Sequence, residues 1–140
     1  MFKEGDIVRI PLPDGRFAIG WILHISKVFK NAVGFVVFGI EGQLRNPNFE
    51  ANPTLDVLGP LYTHIAALSH YGWKAIGHQP ITEEKRKLTT REVGGEIYIG
   101  DERVESVVNR ENVPTMLVMG MPVVYDEIQS AFGSESVQGA

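Results

Sequence analysis

The sequence predicts a mainly β protein of the α+β kind: a curled antiparallel sheet, SH3-like or barrel-like, with a short C-terminal helix. Three observations carry this reading. Short apolar runs rich in Val, Ile and Phe recur along the chain, clusters of Gly, Pro, Asn and Asp punctuate them, and the last apolar positions repeat at helical spacing.

The opening segment, Gly5 to His24, reads as a hairpin. Asp6 to Leu12 forms its first strand, with Ile7, Val8 and Ile10 as apolar positions. Pro13-Asp14-Gly15 supplies the turn, since Pro fixes φ and Gly tolerates positive φ. Phe17 to Ile25 returns as the second strand, and Gly20 inside it marks a bulge or bend where another backbone comes close. After a turn at Asn31-Ala32, the run Gly34 to Ile40 is too short for a free-standing helix and reads as a buried strand. Glu41 to Thr54 is dense in Asn, Pro and Gly, and reads as a surface loop pinned to the core by Phe49.

Asp56 to Ser69 supports two readings. Leu58, Leu61, Tyr62, Ile65 and Leu68 have helical spacing, whereas Leu61, Thr63 and Ile65 alternate with Tyr62, His64 and Ala66 as in a strand. The strand is preferred, starting at Gly59-Pro60. A Tyr71-Gly72 turn leads into Trp73 to Ile81, with Trp73 and Ile76 as core candidates. The mixed charges of Thr82 to Lys87 suit a solvated loop or helix end. Glu92 to Val108 reads as a further hairpin, with turns at Gly94-Gly95 and Gly100-Asp101. Thr115 to Val123 is expected to be a last strand. Val124, Ile128 and Phe132 then form the stripe of a helix. One globular domain is expected over residues 1–132, with a small, polar and flexible tail over 133–140.

At 140 residues and 44% hydrophobic content, one domain can bury a core by packing alone. The absence of cysteine excludes disulfides, thiolate metal sites and cysteine nucleophiles. No stretch approaches the roughly 18 apolar residues that span a bilayer, and the first residues lack a signal-peptide run, so a cytoplasmic protein without membrane contact is expected. A net charge of −4 argues against nucleic acid as a direct partner. The acidic excess lies in the second half of the chain, because acids and bases balance over residues 1–60. It fits either an ordinary solvated surface or an acidic face that docks a basic partner.

Catalytic motifs are missing. His24, His64, His70 and His78 stand in no metal-ligand spacing such as H-E-x-x-H. Gly94-Gly95 precedes a strand-like segment and lacks the Lys-Ser or Lys-Thr of a phosphate loop, and no G-x-S-x-G elbow occurs. Phe35, Phe38, Tyr62 and Trp73 lie in apolar settings that read as core rather than as a platform for bases. Met116, Met119 and Met121 cluster, either to fill the core or to form an adaptable surface. No catalytic residue, metal or cofactor is assigned.

The stretch Glu4-Gly-Asp-Ile-Val-Arg-Ile-Pro-Leu-Pro-Asp-Gly-Arg-Phe-Ala-Ile-Gly20 resembles the opening of the immunity protein 26 family, found beside bacterial polymorphic toxins and contact-dependent inhibition toxins. Gly72-Trp-Lys-Ala-Ile-Gly-His-Gln-Pro80 resembles that family's second recurring stretch. The resemblance implies a non-enzymatic, cytoplasmic antidote that binds one cognate toxin, often a nuclease in such systems, and blocks it stoichiometrically. An acidic antidote suits the basic cleft of such a toxin. Glu92, Glu96, Asp101, Glu102 and Glu105 are the candidate toxin-binding residues, because they lie on or beside one predicted hairpin. Two other readings stand beside this one. One is an SH3-like interaction module outside toxin immunity, and the other is a small metal-dependent hydrolase built from His64, His70, His78 and nearby acids.

Overall fold

Apolar residues fall on both faces of the N-terminal strands, and the sheet they form is covered on both sides. The computed structural model describes residues 1–29, 31–43, 58–105 and 113–133. Strands β1 (Asp6–Pro11), β2 (Phe17–Ile25), β3 (Ala32–Ile40) and β4 (Leu58–His64) pair antiparallel in succession. Helix α1 (Ile65–His70) then turns the chain back, so that β5 (Lys74–His78) joins the far side of β1. The resulting order is β4-β3-β2-β1-β5. Pairing slips at Ile7/Val8, Ile19/Gly20, Ile22/His24 and Phe35/Val37. Each slip bends a strand. The predicted curled, mainly β architecture is what forms, with the sheet left open rather than closed into a barrel.

The first hairpin follows its sequence closely. Gly15 takes φ +89° and donates its N–H to the Leu12 carbonyl at 3.1 Å. At Gly20 a Cβ would stand 2.9 Å from the Val36 carbonyl oxygen, so the expected close approach of another backbone is real.

On one face, Val8, Ile10, Ile22, Val33 and Phe35 meet Leu68, Trp73 and the buried stripe Met121, Val124 and Ile128 of α3 (Met121–Phe132). Trp73 packs edge-on against Phe35, with ring centroids 5.0 Å apart. On the other face, Ile7, Ile19, Trp21, Leu23 and Val36 lie beneath Ile81 and Leu88. Burying each such side chain stabilises the fold by about 1.5–3 kcal/mol. Trp21 has no exposed surface, and its indole N–H is shared between the carbonyls of Gly5 and Gln79. Arg16 bonds the Gly133 carbonyl at 2.6 Å and so fastens the end of α3 to the first hairpin turn.

A second, smaller sheet follows helix α2 (Glu83–Arg86) and a 3-10 turn at Lys87–Thr89. It is an antiparallel meander of β6 (Thr90–Val93), β7 (Glu96–Ile99) and β8 (Glu102–Val104). Residues 114–119 lace the two sheets together. Glu92 exchanges backbone bonds with Pro114 and Met116, whereas Met119 donates to the Tyr62 carbonyl at 2.8 Å.

Several expectations are corrected. Of the two core candidates, Trp73 is buried as expected, whereas Ile76 is 48% exposed, because it lies on the edge strand β5, whose residues are all exposed. Residues 58–70 are strand and then helix, so each of the two periodicities holds for part of the segment. Thr115 to Val123 is not a strand. Its Thr115 and Val118 make single bridges to two different strands, and α3 starts at Met121 with Pro122 in its first turn, where a missing N–H costs nothing. The charged run after Thr82 is a one-turn helix whose Lys85 amide is capped by the Thr82 hydroxyl, with Lys85 buried. Among the clustered methionines, Met121 is core and Met116 and Met119 are half-buried. Phe49, Val107, Val108 and residues 134–140 lie outside the described residues.

Candidate functional site

The β6–β8 meander carries all five predicted carboxylates on or directly beside its strands, and its geometry separates them into two groups. Asp101, in the turn between β7 and β8, points back into the fold. It accepts hydrogen bonds from the Ser26 hydroxyl at 2.6 Å and the Lys27 amide at 2.7 Å, and lies 2.9 Å from His24 Nε2. Burial pushes its pKa up, but these bonds and the charge of His24 outweigh that, and the carboxyl is held below its ordinary value. Glu92 accepts from the Gly95 amide at 2.7 Å and from the Thr115 hydroxyl at 2.9 Å. Both acids hold the meander in place, one to β2 and the other to the lacing segment.

Glu96, Glu102 and Glu105 face solvent, with side chains 50%, 65% and 85% exposed. Arg103 lies between Glu96 at 3.2 Å and Glu105 at 3.4 Å. Glu102 stands apart from that pair and reaches Arg86 at 3.4 Å. The structure therefore brings two of the five together around one arginine, and Arg103 neutralises part of their charge.

A cavity of about 200 Å³ opens where β4, β6 and the lacing segment meet. Pro60, Tyr62, Arg91, Leu117 and Met119 line it. Tyr62 fits because Gly34 lacks a side chain: a Cβ there would stand 2.7 Å from the Tyr62 ring. Arg91 lies over that ring, 5.5 Å from its centroid, and bonds the carbonyls of Thr90 and Pro60. Desolvation lowers its pKa, and the neighbouring Tyr62 acts in the opposite direction. In Tyr62, burial raises the pKa and the charge of Arg91 opposes the rise. Sequence reasoning missed Arg91 because the residues that bury it are far away in the chain, Pro60 being 31 positions distant. No local spacing marks it.

The histidines are dispersed. His24 lies between Asp101 and Glu4, His78 lies 3.3 Å from Asp6, and His70 packs against Tyr71. Among the described residues, no three His, Asp or Glu side chains are grouped so as to hold a metal ion. No described helix is long and apolar enough to cross a membrane.

A family model described as immunity protein 26 matches residues 3–102, which span β1 through the start of β8. No curated protein and no solved structure matches the chain.

Proposed function

The chain belongs to the immunity protein 26 family, and on that premise we propose that it neutralises one cognate bacterial toxin by forming a stoichiometric complex, with no turnover. The toxin is a nuclease, met in the cytoplasm, and the exposed carboxylates of the meander cover its active-site cleft. A cleft that handles nucleic acid is lined with cations that neutralise phosphates. Opposite charge on the antidote speeds the encounter and sets its orientation.

The observation that carries this reading is the division among the five acids. Glu92 and Asp101 are engaged in hydrogen bonds that hold the meander in place, which leaves Glu96, Glu102 and Glu105 accessible on the same small sheet. Their arginine partners sit in exposed pairs worth about 0.2–1 kcal/mol, which a cation on the partner can displace. Replacing Glu102 and Glu105 together with Lys is expected to slow association with the cognate toxin and to weaken the complex. Unchanged association and affinity would remove this surface from the interface.

A further inference from the structure

Arg91 is 8% exposed, yet both of its hydrogen-bond acceptors are neutral carbonyl groups. Among the described residues, no carboxylate lies within ion-pair distance of it. A buried cation without an opposite charge is costly, and a well-placed, hydrogen-bonded anion offsets part of that cost. Arg9, in the larger cavity beside β1 and β5, makes the contrast: it already holds Glu41 through two bonds of 2.8 and 2.9 Å.

The surroundings of Arg91 favour such a pair. Pro60, Leu61, Leu117, Met119 and the Tyr62 ring give the cavity a largely apolar lining, which lowers the local dielectric and strengthens electrostatic attraction. A volume of about 200 Å³ admits one side chain and falls below the roughly 300–1,000 Å³ of small-molecule sites. At the rim, Leu117 is 67% exposed and the adjoining Val118 39%, so part of the border of the opening is exposed apolar surface. Cross-strand register aligns Arg91 with Tyr98 and Tyr98 with Arg103. The cavity therefore shares a face of the meander with the Glu96–Arg103–Glu105 cluster.

We infer that this cavity is an anchor pocket for a carboxylate side chain of the partner protein, an Asp or Glu flanked by apolar residues. The carboxylate pairs with the Arg91 guanidinium in the bidentate manner that group favours, and its neighbours cover Leu117 and Val118. The identity of the partner as the toxin rests on the function proposed above, whereas the pocket's preference for a carboxylate does not. Glu127 on α3 also lines the cavity but makes no ion pair with Arg91. It is the internal competitor.

The test uses the full chain, isotopically labelled, and acetate as the probe. Titration at constant ionic strength against chloride, followed at the Arg91 Nε–H resonance, is expected to give a saturable shift that chloride does not produce and that Arg91→Gln abolishes. The cognate toxin is then expected to displace acetate. No shift, or the same shift with chloride, overturns the pocket. A shift seen only in Glu127→Gln also overturns it, because Glu127 would then be the occupant. Toxin that binds while leaving acetate on Arg91 overturns the partner assignment alone. Toxin that does not bind at all overturns the proposed function, and the acetate result still decides the pocket.

Discussion

Asp101 Oδ1 lies 2.9 Å from His24 Nε2, and through this contact the turn between β7 and β8 is fastened to the central strand β2. The same carboxylate receives the Ser26 hydroxyl and the Lys27 amide. Asp101→Asn is expected to destabilise the protein by about 1–3 kcal/mol at neutral pH, measured by urea unfolding. The folded pKa of Asp101 is depressed, so its contribution is complete above the unfolded value of 3.8 and is lost as pH falls through the lower folded value. The gap between wild type and Asp101→Asn should therefore narrow below about pH 4.

Trp21 joins three parts of the chain, because its indole N–H serves the carbonyls of both Gly5 and Gln79. Trp21→Phe retains an aromatic ring but leaves those carbonyls without that donor. A loss of about 1–3 kcal/mol is expected in chemical denaturation. A change within error would mean that water or neighbouring amides replace the indole.

Gly34 makes room for the Tyr62 ring, and the ring in turn supports Arg91. Gly34→Ala places a methyl group 2.7 Å from Tyr62 Cε1, so the ring must move. The expected cost is about 1–3 kcal/mol, with chemical-shift changes reaching the Arg91 side chain. Gly20→Ala meets the Val36 backbone instead, and should destabilise the protein without disturbing Arg91.

Legibility in the sequence follows the range of the interactions. The Pro13-Asp14-Gly15 turn and the stripe of Val124 and Ile128 rest on neighbours close in the chain, and Gly20 is legible from its residue type within a strand although the backbone it meets, at Val36, belongs to another strand. The exposure of Ile76 is not legible, because a strand's own residues do not say whether it lies at the edge of its sheet. The bridges of Thr115 and Val118 to two separate strands were equally unreadable, since they depend on how two sheets meet. At the candidate site, the acidic composition pointed to the meander, but the roles within it depend on distant partners. Asp101 binds Ser26 and Lys27 from more than 70 positions away, and nothing local distinguishes it from Glu102.

That division has a kinetic signature. Glu92→Gln is expected to lower the stability of the free protein through the Gly95 and Thr115 contacts, with little effect on the rate of toxin association. Glu96→Lys is expected to leave stability within about 0.5 kcal/mol while slowing association, most strongly at low salt. Stopped-flow mixing across a salt series, beside urea unfolding, separates the two effects. Equal association rates for both variants would place the interface elsewhere.

Stoichiometric blockade is tested most directly by titrating the cognate toxin with this chain and following the toxin's activity. Activity should fall linearly and vanish at a fixed molar ratio, with both proteins eluting together in gel filtration. Complete loss of activity at a small fraction of an equivalent would indicate turnover and contradict a binding mechanism. Undiminished activity at excess antidote would contradict the proposed immunity role.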